Sequence, residues 1–315
     1  ANRTPDQLRD RILGARPDEG MRLVQEATDP AVWDDAVAAL DWALEPSSDA
    51  GSERRSGPST SEDVGARRGI AAHAPRTAAV AALARGWALA RLDRQAHASR
   101  SFGDAIALAR SCGDVDVERR ARVARTRSAV RATERATLTE DAAWLLDRPD
   151  CTRADAVAAW IARGHDRVRR GDLVGSEQAL RDAVEAAPDV SSRAAARADL
   201  AGALTARGAL TDAIDAACRA CAEADACGDR DVAATARLAL ANAQRRNGSV
   251  AAAMTSLRTV EELARRSGDR ATQRIALAHL APILHARLEF AAARQVLVTA
   301  VSLARETETD DSLLL

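Results

Sequence analysis

Residues 157–190 read VAAWIARGHDRVRRGDLVGSEQALRDAVEAAPDV. The stretch is two helix-forming segments, rich in Ala, Leu, Arg and Glu, placed around one break. The break is Gly171-Asp172, and Pro188-Asp189 ends the second segment. Gly and Pro are the strongest punctuation a helical sequence carries, so the stretch reads as helix, turn, helix, stop.

The same punctuation recurs along the chain. Breaks fall at Gly113-Asp114, Pro149-Asp150, Pro188-Asp189, Gly228-Asp229 and Gly268-Asp269, the last three lying 39, 40 and 40 residues after their predecessors. A second set at Gly171-Asp172, Gly208, Gly248 and Leu288-Glu289 lies between them, its last two intervals again 40 residues. Two interleaved turn signals at one period define a two-helix repeat unit. Between the breaks, apolar residues keep helical spacing. Leu200, Leu204, Leu210 and Ile214 flank Gly208, and Leu257, Val260 and Leu263 follow Gly248. Ala fills most other interior positions and allows close helix approach. Six helix pairs are expected, at about 76–111, 115–148, 153–187, 191–227, 231–267 and 271–305. The fold class is therefore all-α, an α-solenoid of stacked antiparallel pairs.

The 157–190 unit resembles the tetratricopeptide repeat (TPR). That motif has a Trp near its start, a Gly four residues on, a Gly-Asp turn, a late Ala and a closing Pro. Trp160, Gly164, Gly171-Asp172, Ala183 and Pro188 match in register. Ser176 departs from the motif, which has Ala there, and Arg163 and Arg167 replace apolar residues. A further unit fits through Gly86, Ala98, Phe102 and Ala105, and later units keep the packing Ala as Ala213, Ala253 and Ala293. The resemblance covers residues 76–305 and implies a right-handed superhelix. The lengthened units, with Cys-Gly-Asp-Arg at 227–230 and Ser-Gly-Asp-Arg at 267–270, are similar to helical-repeat regions of large bacterial regulators and of proteins with CHAT-type protease domains.

Composition agrees with a helical protein and narrows its functions. The chain of 315 residues has no Lys and no Tyr, so all 45 basic residues are Arg, and its formal net charge is −1. A nucleic-acid binder would show a basic excess, so nucleic acid is not the expected partner. A phosphate loop of the Gly-x-x-x-x-Gly-Lys type cannot exist without Lys. Residues 1–15 are polar and charged, and no apolar run approaches the ~20 residues of a membrane helix. The five Cys lack scaffold spacing. A cytoplasmic protein is expected.

The N-terminal part differs from the repeats. Residues 5–13 and 18–27 read as short helices, and 30–45 as an amphipathic helix with Trp33, Val37, Leu40 and Leu44 on one stripe. Residues 46–66 are rich in Ser, Gly, Pro and charge and read as a linker. The expected organisation is thus N-terminal helices at 1–45, a linker at 46–66 and a repeat domain at 67–315.

The TPR resemblance implies a partner-binding groove lined by the first helix of each pair. One equivalent groove position carries Trp87, His165, Gly202, Asn242 and Pro282 in successive units. Neighbouring positions hold Arg169, Arg245, Arg246, His279 and His285. In the family an Asn at that place holds a peptide backbone and basic residues hold a carboxylate. Asn242 matches, with Arg245, Arg246 and His279 for charge. Ala158, Ala198 and Leu238 stand where the family has Lys, which departs from its carboxylate clamp.

Three other features carry less. Helix 115–135 is rich in Arg, from Arg119 to Arg135, and reads as a solvated helix with acidic partners more readily than as an anion strip. Cys218, Cys221 and Cys227 lack a fourth convergent ligand, so no metal site is expected. Cys151 has no evident base or orienting group, so neither a catalytic residue nor a cofactor is expected. The expected function is a non-enzymatic protein- or peptide-binding scaffold of a bacterial regulatory system, using its concave face. The alternative is a ligand- or peptide-sensing module that controls a separate effector, a transcription factor or protease.

Overall fold

The computed structural model of the chain describes residues 37, 40, 75–92, 94–132, 135–267 and 269–312. The expected helices at 5–13 and 18–27 and the linker at 46–66 lie outside these residues. Among the described residues every regular element is an α-helix. They are α1 (Pro75–Arg91), α2 (Gln95–Cys112), α3 (Val115–Ala132), α4 (Arg135–Leu146), α5 (Arg153–Arg169), α6 (Leu173–Ala186), α7 (Val190–Arg207), α8 (Leu210–Cys227), α9 (Arg230–Arg246), α10 (Val250–Ser267), α11 (Arg270–Ala286) and α12 (Phe290–Ser312).

The Gly-Asp and Pro-Asp punctuation is read directly in the backbone. Gly113, Gly171, Gly208, Gly228 and Gly248 all adopt positive φ, between 71° and 88°. This left-handed conformation ends a helix at little steric cost only in Gly. The Asp that follows a break often starts the next helix. Asp172, Asp189, Asp229 and Asp269 accept the backbone N–H of Gly175, Ser192, Val232 and Thr272 at 2.7–3.1 Å. Such a cap satisfies one of the orphan donors of a helix start. Thr152 caps α5 reciprocally with Asp155.

The chain forms two compact units, Ala1–Ala132 and Thr133–Leu315. The division falls inside the second expected pair: α3 belongs to the first unit, and α4 belongs to the second, where it packs on α5. In the first unit α1, α2 and α3 pack in succession around Val80, Leu83, Leu89, Phe102 and Val117. Val37 and Leu40, from the stripe at 30–45, are buried in the same core. Gly86 is where Phe102 approaches the backbone of α1, leaving no room for a Cβ.

In the second unit the pairs α5/α6, α7/α8, α9/α10 and α11/α12 stack in order. Helix α12 extends to Ser312, beyond the expected end at 305. The interior is built largely of Ala: Ala179, Ala183, Ala213, Ala217, Ala220 and Ala253 are fully buried. Gly164 serves the same close approach, since a Cβ there would lie 2.6 Å from Leu180 Cγ. Successive first helices also pack on one another, α5 on α7, α7 on α9 and α9 on α11, while the second helices show no comparable packing among the described residues. The first helices therefore form the inner side of the stack. Repeats whose helices meet more closely on one side curve toward it.

Candidate inner-face site

The inner side of the second unit carries two polar clusters. The first is on α5 and α7. His165 Nε2 and Asp199 Oδ1 are 3.0 Å apart, and both side chains are partly exposed. With a carboxylate as acceptor, Nε2 carries the proton. Burial works hardest against charging His165, yet the charge and hydrogen bond of Asp199 outweigh it, against a smaller push from Arg169. The His165 pKa is therefore raised. Arg169, four residues on, lies near enough to act on the ring.

The second cluster is on α9 and α11. Arg245 donates from Nη2 to Asn242 Oδ1 at 3.0 Å, a contact its i, i+3 spacing permits on one helix face. Across the pair boundary, His279 of α11 has its pKa lowered, by burial first and by the Arg245 charge second. Both effects favour the neutral imidazole of His279. Asn242 keeps its amide N–H₂ as a donor, Arg245 presents a guanidinium, and neutral His279 can donate or accept. The trio suits an extended backbone or a carboxylate. Gly202, at the matching position of the preceding pair, has no atom of a described residue within 4 Å of where a Cβ would stand.

Three other expected site residues have contacts or exposure of their own. Trp87 belongs to the first unit, where it packs against the apolar core edge-on to Phe102, with ring centroids 6.1 Å apart. Arg246 is exposed at the end of α9. His285 stacks edge-on against Phe290 at 5.3 Å, at the end of the second unit. Asp199 is the site residue that sequence reasoning missed. Its only signal was an acidic residue on a first helix, and the partner lies on another helix.

The two Arg that depart from the TPR pattern have local roles. Arg163 lies over the Trp160 ring, 5.2 Å from its centroid. Arg167 donates to the Gly175 carbonyl at 2.7 Å, bracing the turn at Gly171. The Arg-rich helix is tied to acids: Arg122 is fully buried against Glu118, which also accepts from Arg110 of α2. Burial pushes the Cys221 thiol up to about 11, far from the thiolate that a metal takes. Among the described residues no group of His, Cys, Asp and Glu gathers in a way that could hold a metal, and no helix is long and apolar enough to cross a membrane.

No family model matches the chain, and no curated protein matches it in sequence. Among solved structures it is similar to the apo form of the quorum sensor NprR from B. thuringiensis, with a TM-score of 0.59 at 11% identity, over 95% of this chain and 84% of that one. It is also similar to a signal transduction ATPase with a tetratricopeptide repeat sensor from Pyrococcus horikoshii, with a TM-score of 0.44 at 11% identity, over 96% of this chain and 50% of that one. A Rap protein complexed with competence and sporulation factor matches with a TM-score of 0.38 at 13% identity, over 75% of this chain and 79% of that one. The fold is a TPR-like α-solenoid.

Proposed function

We propose that this chain is a peptide-binding regulatory scaffold and that the inner face of its second unit receives the peptide. The observation that carries the reading is the hydrogen bond of Arg245 to Asn242 on α9, with His279 of the next first helix within reach of the Arg245 charge. A guanidinium and an amide donor on α9, with an imidazole on the neighbouring first helix, offer partners to a peptide carbonyl or an acidic group. Among the described residues nothing crowds Gly202, which supports a path along the face. The same fold serves a quorum sensor, NprR, which is consistent with a sensing role.

The test is binding of pooled random-sequence peptides by fluorescence anisotropy. A variant carrying Asn242→Ala and Arg245→Ala should bind the selected peptides roughly tenfold more weakly, the scale of one charge-assisted hydrogen bond. Unchanged affinity in a folded double variant sinks the reading. The alternative is a module that senses its ligand and controls a separate effector. It predicts, in addition, that ligand changes the affinity for that effector, and that effector changes the affinity for ligand by the same factor.

A further inference from the structure

Charge is unevenly divided between the two helix layers of the second unit. The first helices α5, α7, α9 and α11 carry 13 Arg and 4 acidic residues, whereas the second helices α6, α8 and α10 carry 5 Arg and 9 acidic residues. Part of this imbalance is consumed between the layers. Arg193 and Arg197 of α7 pair with Glu223 of α8, Arg207 of α7 pairs with Glu177 of α6, and Arg237 of α9 pairs with Asp225 of α8. The inner-side cations outside these pairs are Arg169, at the end of α5, and Arg245 and Arg246, at the end of α9. Arg245 and Arg246 have no ion pair among the described residues. The acid beside them on the inner side, Asp199, is already bound to His165.

The repeat register sets the distance between the two cationic ends. Arg169 and Arg246 occupy equivalent positions, four residues after His165 and Asn242. Helix α7 lies between α5 and α9, with Ala198, Gly202 and Ala206 at its corresponding positions. Two interaxial steps of about 8–10 Å put the ends about 16–20 Å apart, the span of about five or six residues of extended chain. A polynucleotide is the other polyanion to consider. The same positions offer no Trp, Tyr or Phe ring for base stacking, and the acidic second helices repel a long phosphate chain.

We propose that the inner face selects an acidic peptide, an extended segment with two Asp or Glu side chains about five or six residues apart. One acid meets Arg169 and the other meets Arg245 and Arg246. The inference rests on the peptide-binding reading above and adds the chemistry and spacing of the ligand. Guanidinium groups suit carboxylates, because two parallel N–H donors match two carboxylate oxygens. The acids are side chains within the segment, so a free C-terminal carboxylate is not required.

Selection of a random-sequence peptide pool on the full chain, followed by sequencing, tests this. The selected pool should be enriched in Asp and Glu at a spacing of about five or six residues. The Kd of a selected peptide should rise about tenfold from about 0.1 to 1 M salt, as the Debye length falls from about 10 to 3 Å. Arg246→Glu should weaken binding about tenfold, and Lys in place of one peptide acid should restore it. Arg169→Gln should couple to the other acid. Arg246 is exposed, so its variant should keep the wild-type circular dichroism. Arg219→Gln, on α8, is the control and should leave Kd unchanged. A pool without binders overturns the peptide-binding reading and this inference with it. Neutral or basic binders, or acids without that spacing, overturn this inference alone. So does single-stranded poly(U) that displaces the peptide at equal affinity.

Discussion

His165 Nε2 donates to Asp199 Oδ1 across 3.0 Å, tying α5 to α7 on the inner side of the stack. The carboxylate holds the imidazole pKa above its ordinary value despite burial. The bond therefore adds stability that is fully present below the unfolded imidazole pKa and is lost as pH rises through the folded one. His165→Gln should destabilise the chain by up to about 1 kcal/mol near pH 6, the scale of a partly exposed pair. The difference from wild type should shrink toward about pH 8.5. Urea titrations at both pH values check this, and a difference that grows with pH refutes it.

Protonation of His279 has the opposite sign. Burial and Arg245 lower its pKa in the free protein. An anionic group seated beside Arg245 would raise it again, so such a ligand would bind with proton uptake. Affinity for an acidic peptide should rise as pH falls through the window between the free and bound pKa values. His279→Gln should flatten that slope, as read by calorimetry in buffers of different ionisation enthalpy.

Two helical glycines should respond to Ala with opposite signs. At Gly164 the added Cβ meets Leu180 Cγ at 2.6 Å. Overpacking of about 1–3 kcal/mol then exceeds the ~1 kcal/mol gain in helix propensity, and Gly164→Ala should destabilise. At Gly202 no described residue stands within 4 Å, so Gly202→Ala should stabilise by about 0.5–1 kcal/mol. Shifts of the urea midpoint in the same direction for both would contradict the packing described.

Two departures from the repeat pattern should be improvable. Leu288 holds φ 63° at the position where Gly208 and Gly248 stand in the preceding pairs, and it is exposed. Leu288→Gly should gain about 0.5–1 kcal/mol by removing that left-handed strain. Ser176 is fully buried at the packing-Ala position, and its hydroxyl has no hydrogen-bond partner among the described residues. Ser176→Ala should gain about 1 kcal/mol. Thermal melts of the two single variants decide each claim separately.

The repeat was legible because its signals are local. A Gly in the left-handed region and an Asp that caps the next turn act within four residues of themselves. Gly208, Gly228 and Gly248 thus place helix ends from the sequence alone. The packing alanines were legible for a similar reason, since Ala213 and Ala253 recur at one period and sit at one contact. The first unit's boundary was not legible. Nothing in the residues around Thr133 distinguishes a turn within a pair from a division between units, because that depends on which helix α4 packs against.

The site was legible in part. The resemblance to TPR units brought Asn242, Arg245 and His279 to one face, since equivalent positions of stacked repeats align. It also grouped Trp87 and His285 with them; in the structure Trp87 packs on the core around Phe102, and His285 packs on Phe290. Asp199 had no sequence signal as a partner of His165, because their contact spans two helices joined only through α6. The sequence by itself determined the helices, their ends and the period, all products of short-range backbone chemistry. Only the tertiary structure decided which polar side chains meet, since a contact between helices depends on how neighbouring pairs stack and turn.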